Sequence, residues 1–259
     1  MRHEAFEPRV LGAVRFLDAA TRLPVRAPLS VAGDEVRLVR NQQGLYVLVG
    51  SPGLEAHLDS FVAPPPHPAL GGLRAELTVR DPGGRYLPRR LALRVPRDPD
   101  PAHADQEDSL FRPVDVLLYP APAASVAPGW AVVRATVVRA GSGEPLGGAL
   151  LRVVRKADGE VLARALTDWR DPVRGEALVA VPGIPITTWG DGEPEEPVLV
   201  NEVPVTLEVF VDSLFDPAAG PVPDPDRMDL LRGGLPSAFE DLRLASGRTE
   251  KKTLTVTMP

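Results

Sequence analysis

The sequence predicts an all-β protein: tandem small β-sandwich modules with long proline-rich loops. Three observations carry that expectation. Apolar and polar residues alternate with period two in several runs. In Leu73–Arg80, Leu73, Ala75, Leu77 and Val79 point one way and Arg74, Glu76, Thr78 and Arg80 the other, the pattern of a strand with one buried face. Among 259 residues there are 23 Gly and 30 Pro, and proline is excluded from helix interiors and central strands. Helical periodicity is confined to two short stretches, Asp226–Arg232 and Ser237–Leu244.

The remaining strands follow from the same reading. In chain order the runs are Leu11–Leu17, Val36–Arg40, Leu45–Gly50, Leu73–Arg80, Leu91–Val95, Val114–Tyr119, Ala131–Val138, Leu150–Arg155, Val161–Thr167, Ala177–Val181, Val205–Val211 and Leu254–Met258. Asp81-Pro82-Gly83-Gly84, Gly141-Ser142-Gly143 and Asp158-Gly159 supply the turn residues that tight connections need. About a dozen short strands with frequent turns indicate sandwiches.

Three segments read as linkers or long loops. Ala63–Pro68 holds four prolines in six residues, a stiff extended spacer. Pro120–Pro128 is rich in Ala and Pro, and Arg97–Asp108 is an acidic exposed loop. The chain is therefore expected to divide into modules 1–62, 63–126 and 127–259, the last with an insertion at 212–248.

Composition bounds the function. Hydrophobic residues make up 44% and aromatic ones 5%, so cores must be mainly aliphatic. The net charge of −6 opposes a global attraction to nucleic acid or anionic membrane. Without cysteine there is neither a disulfide nor a thiolate metal site. The N-terminus lacks the apolar run of a secretory signal, and no stretch is long enough for a membrane helix. A cytoplasmic protein is expected, one open to incorporation into a released particle.

The first and third modules echo each other: strand, polar turn, Pro-aliphatic step, then a Gly-led strand ending in Pro-Gly (Pro52-Gly53 and Pro182-Gly183). The third module carries Ser142-Gly-Glu-Pro-Leu-Gly-Gly-Ala149, Arg152-Val-Val154, Thr167-Asp168 and Gly175-Glu-Ala-Leu178 through Pro182-Gly183. Over about residues 131–183, and faintly over 11–53, the chain resembles the carboxypeptidase-regulatory-like or transthyretin-like β-sandwich family, itself Ig-like in form. The resemblance implies a sandwich fold and little about function. Two departures from the family pattern stand out: the inserted Trp169–Arg174 and the long continuation past Gly183.

No catalytic residue, cofactor site or metal site is expected. His3, His57, His67 and His103 lack metal-ligand spacing and are expected to be solvent-exposed. No Gly-x-Ser-x-Gly elbow or phosphate-binding glycine loop occurs. The acidic clusters Asp98/Asp100, Asp105–Asp108, Asp191–Glu196 and Asp224/Asp226 offer oxygen ligands of the kind calcium takes, but none has EF-hand spacing. They read as solvated loops.

The candidate interface residues are Trp169, Arg170, Trp189, Arg85 and Tyr86. Trp169 and Trp189 lie in the two departures among polar neighbours, where an aromatic is either a local lid or a docking anchor. Trp130 opens a strand and is expected in the core. Arg85 and Tyr86 begin a basic-aromatic group beside the Asp81 turn. The expected function is a non-enzymatic structural or docking subunit that assembles with other protein subunits, a homo-oligomer being compatible. The concrete version is an accessory component of a phage-tail-like or contractile injection particle. The alternative is a carbohydrate- or peptide-binding module, and a hydrolase using acidic residues comes third.

Overall fold

A computed structural model of the chain describes residues 10–59, 64–184, 202–216 and 222–259. Within them the fold is all-β, with fourteen strands and two short α-helices. The chain folds into two compact units. The first comprises residues 1–17, 23–82 and 88–117; the second takes 18–22, 83–87 and 118–259.

The first unit holds β1 (Gly12–Asp18), β2 (Ser30–Gly33), β3 (Arg37–Arg40), β4 (Tyr46–Gly50), α1 (Glu55–Asp59), β5 (Leu73–Arg80), β6 (Arg89–Val95) and β7 (Val114–Leu118). Asp18 and Leu118, the last residues of β1 and β7, fall in the second unit. One sheet runs β3-β4-β1-β7 and the other β2-β5-β6. The alternation of β5 has its expected effect. Ala75, Leu77 and Val79 are buried, as are Leu91, Leu93 and Val95 of β6, and Leu77 sits opposite Leu91, Ala75 opposite Leu93. Phe16 and Tyr46 meet edge to face with centroids 5.3 Å apart. The Tyr46 hydroxyl donates to the Leu29 carbonyl and accepts from its amide, at 2.9 and 2.8 Å, which satisfies a buried polar group.

Strand β2 has no counterpart in the sequence reading, because Ser-Val-Ala-Gly holds one sizeable apolar residue. It pairs with β5 from Ser30↔Arg80 to Gly33↔Leu77. Strands on either side of Ala63–Pro68 thus share a sheet, and that segment connects parts of one unit. The division expected near residue 63 falls inside the first unit.

The second unit contains β8 (Ala131–Arg139), β9 (Leu150–Arg155), β10 (Val161–Leu166), β11 (Glu176–Val181), β12 (Val203–Phe210), α2 (Pro225–Leu231), β13 (Ser237–Leu244) and β14 (Thr249–Val256). Its sheets run β10-β9-β12-β13 and β11-β8-β14. β14 lies parallel to β8, from Thr249↔Val132 to Val256↔Arg139. The other pairings of this unit are antiparallel. The core is aliphatic, as the low aromatic content requires: Val133, Val137, Leu151, Val153, Val179, Val205, Leu207, Val209, Leu244 and Val256 belong to it. Each such side chain contributes about 1.5–3 kcal/mol on burial.

Ser237–Leu244 corrects the helical expectation. It is a strand that pairs along its whole length with β12, from Val203↔Leu244 to Phe210↔Ser237. Part of the expected 212–248 insertion is therefore integral to the sheet. Asp226–Arg232 does turn into a helix, α2, where the Asp224 carboxylate accepts from the Arg227 amide and Pro225 opens the first turn. The α2 residue Asp229 lies 3.5 Å from Arg152 Nε on β9 and 2.8 Å from an Arg164 nitrogen on β10, while Arg152 also reaches Glu208 at 3.2 Å. Nor does Pro120–Pro128 stand free. The Ala121 amide donates to the Arg85 carbonyl and Arg134 donates to the Pro122 carbonyl at 2.8 Å. Trp130 precedes β8 and is half-buried, so it is not the core residue expected. No helix among the described residues is long and apolar enough to cross a membrane.

Candidate docking site

At one corner of the second unit three connections converge: β8–β9, β10–β11 and the stretch after β12. The first is shaped by glycines. A Cβ on Gly147 would lie 2.4 Å from Trp169 Cα, and one on Gly148, whose φ is +75°, would lie 2.6 Å from the Phe215 ring. Only a residue without a side chain lets these loops approach so closely. Thr167 and Asp168 hold the second connection. The buried Thr167 hydroxyl donates to the Leu146 carbonyl at 2.8 Å and accepts from the Ala149 amide at 2.9 Å. The Asp168 amide donates to the Glu176 carbonyl, and its own carbonyl accepts from Gly175.

Trp169 and Arg170 ride on this framework. Arg170 donates to Asp168 with its amide at 3.0 Å and with its guanidinium in a two-pronged contact at 2.9 and 2.8 Å. That hydrogen bonding raises the Arg170 pKa against the lowering effect of partial burial, and the charge of Asp168 adds to it. The Arg170 guanidinium carbon sits 6.0 Å from the Trp169 ring centroid, at the outer limit of a cation–π contact. The indole also meets Phe215 edge-on, centroids 6.0 Å apart. The Asp212 side chain accepts from the Leu214 amide at 3.0 Å, and its carbonyl accepts from Phe215. This turn directs Phe215 onto Gly148 and leaves Leu214 86% exposed. A half-buried indole and an exposed cation thus sit on a fixed framework, and the turn that carries Phe215 onto it presents an exposed leucine. Sequence reasoning missed Leu214 and Phe215; the Asp212-Ser-Leu-Phe order, a turn former before two large apolar residues, was the available signal.

The other candidate residues fare differently. Tyr86 is 5% exposed and its hydroxyl donates to Asp18 Oδ2 at 2.7 Å, so it offers no docking surface. Arg85 stays exposed, 3.6 Å from the same oxygen and 5.4 Å from the Tyr86 ring centroid. Burial pushes the Asp18 carboxyl up, but the amides of Thr21 and Ala20 and the Tyr86 hydroxyl outweigh it and hold the pKa below the usual range. Trp189 lies outside the described residues, as do the Asp191–Glu196 cluster and His3.

One histidine departs from the solvent-exposed expectation. His57 is buried and its Nε2 bonds to the Pro68 carbonyl at 2.9 Å; its place on α1 packs it inward. The His103 side chain stays exposed, while its Nδ1 lies 2.7 Å from Asp98 Oδ2. This resembles the orienting half of an acid–base pair, yet among the described residues no hydroxyl is hydrogen-bonded to the other ring nitrogen. The acidic clusters are occupied with local structure: Asp98 accepts from the Asp100 amide and Asp224 caps α2. No group of three or more metal-ligating side chains converges among the described residues.

No family model matches the chain, and no curated protein does. Among solved structures it is similar to the Bacillus anthracis TIE protein, with 9% identity and a TM-score of 0.29 over 96% of this chain and 34% of that one. It is also similar to a minor pilin of Streptococcus agalactiae, with 10% identity and a TM-score of 0.25 over 86% of this chain and 68% of that one. A third is the shaft pilin spaA from Lactobacillus rhamnosus GG, with 9% identity and a TM-score of 0.27 over 96% and 98%. The chain thus spans about a third of the TIE protein's length, and all three likenesses are loose.

Proposed function

We infer that this chain is a non-enzymatic structural or docking subunit of a larger protein assembly, and that the Trp169–Arg170–Leu214 patch grips a neighbouring subunit. The observation that carries this reading is the support beneath the patch. Gly147, Gly148, Thr167 and Asp168 hold an indole and a guanidinium at the surface, so little conformational freedom of these two groups is lost on binding. Aromatic and arginine anchors of this kind dominate interface energetics. A partner suited to it offers an apolar pocket with acidic groups at its edge.

The likeness of 131–183 to the carboxypeptidase-regulatory-like sandwich belongs to this reading. It is supported by the meeting of Gly147–Ala149 with Thr167–Asp168 at one corner. The finer version, an accessory component of a phage-tail-like or contractile injection particle, rests on analogy with small β-domains in such particles.

The test is native mass spectrometry of the protein purified from its source, beside a Trp169→Ala/Leu214→Ser variant. A stoichiometric co-purifying subunit, weakened at least tenfold in the folded variant, is expected. A lone monomer would sink the reading. Glycan binding that depends on Trp169 would favour the carbohydrate-binding alternative instead.

A further inference from the structure

The first unit contains a cavity of about 420 Å³ lined by Arg15, Phe16, Val25, Arg26, Arg40, Leu45 and their neighbours. Its lining includes three guanidiniums and the carboxamides of Gln42 and Gln43, and no carboxylate. The chain as a whole has a net charge of −6, so this concentration of positive charge runs against the prevailing sign. Its apolar lining is supplied by the half-buried Val25 and by Leu45, half-buried at the foot of the β3–β4 turn, while the Phe16 ring is buried against Tyr46. That turn is fixed by Asn41, whose side chain accepts from the Leu45 amide at 2.9 Å and whose carbonyl accepts from Gly44.

The three arginines are not equivalent. Arg15 is already matched: its Nε and terminal nitrogen donate to the two oxygens of Asp115 at 2.6 and 2.8 Å. Arg40 donates to the Arg26 carbonyl at 2.7 Å, a bond that holds the cavity wall without neutralising its charge. Among the described residues neither Arg26 nor Arg40 has a carboxylate partner. Both side chains belong to exposed residues, so their charges are solvated in the free protein and available to a ligand.

We propose that this cavity is a binding site for a carboxylate carried on an apolar body, with Arg26 and Arg40 holding the carboxylate and Val25 and Leu45 receiving the body. A guanidinium presents planar paired donors that match a carboxylate, and the Arg15–Asp115 contact in the same wall has that geometry. The carboxylate comes either from a small organic acid or from an Asp or Glu side chain of a partner protein. The inference stands apart from the Trp169 patch, which lies in the other unit.

Isothermal titration of the full chain distinguishes these cases. The probes are phenylacetate, its neutral analogue phenylacetamide, inorganic phosphate, and the blocked peptide Ac-Leu-Glu-Leu-amide beside its Gln counterpart. Saturable binding of a carboxylate probe is expected, with its neutral counterpart at least fivefold weaker. An Arg26→Gln/Arg40→Gln variant should lose at least fivefold in affinity. Arg26→Gln alone keeps the Arg40 bond to the backbone of residue 26 and should still weaken binding, which separates lost charge from lost wall structure. Tighter binding of the peptide assigns the site to a protein side chain, and tighter binding of phenylacetate to a free acid. Failure of both carboxylates to bind, equal binding of the neutral analogues, stronger binding of phosphate, or unchanged affinity in the variants would overturn the proposal.

Discussion

The Trp169 indole stands edge-on to the Phe215 ring at 6.0 Å, and the backbone of Gly148 lies directly beneath Phe215. Two residues far apart in sequence are thus held together by a third that has no side chain.

Gly147 should therefore tolerate no enlargement. In Gly147→Ala the new methyl would press against Trp169 Cα, a backbone atom that cannot swing aside, and overpacking of this kind costs about 1–3 kcal/mol. Urea denaturation should show that loss. Unchanged stability would mean that the corner is looser than its distances indicate.

Thr167→Val removes a hydroxyl while keeping the shape. The Leu146 carbonyl and Ala149 amide, which that hydroxyl bonds, would then lose their partner in a buried setting, at a cost of about 1–3 kcal/mol. Thr167→Ser, which retains the hydroxyl, should recover most of it, and the comparison of midpoints checks the assignment.

Asp229 ties α2 to the sheet through Arg152 and Arg164. Replacing it with Ala strips a carboxylate from two partly buried guanidiniums, and the loss of these ion pairs costs about 1 kcal/mol because Asp229 and Arg164 keep some solvent contact. Faster proteolysis confined to the α2 segment is expected. Cleavage spread evenly over the chain would count against α2 as a separately tethered piece.

His103 and Asp98 predict a pH dependence. The hydrogen bond from Asp98 raises the His103 pKa above its ordinary 6.5, opposed by desolvation and helped by the charges of Asp98, Asp100 and Asp108. The Asp100 amide holds the Asp98 pKa below 3.8, opposed by burial and helped by His103. A raised histidine stabilises fully below 6.5, and that contribution is lost as pH rises through the raised value. A lowered carboxyl stabilises above 3.8 and loses its effect as pH falls through the lowered value. The pair contributes most between those limits. His103→Gln should consequently lower the denaturation midpoint more at about pH 5 than at about pH 9, and equal losses at both would contradict the coupling.

How far the sequence could be read depended on which residues carried the signal. Leu73–Arg80 was legible because its inward row is apolar throughout. Ser237–Leu244 was not, because Glu240 sits opposite the core residue Leu207 and breaks the period-two pattern. Its charge is met from β14, where Lys252 Nζ donates to Glu240 at 2.8 Å, a cross-sheet pairing no local window contains. Trp169 was recognisable as a loop aromatic among charges. Its partner Phe215 was not, since their meeting requires the glycine at 148 and the turn at Asp212 to act together. Tyr86 was misjudged for the converse reason: its fate is decided by Asp18, many residues upstream.

The parallel placement of β14 beside β8 has a mechanical consequence. The chain enters β8 at Ala131 and leaves β14 at Val256, at opposite ends of the paired stretch. Tension applied along the polypeptide on either side would slide the two strands lengthwise, so their hydrogen bonds would bear the load together rather than open one after another. Stretching a single molecule between these points should meet a high rupture force.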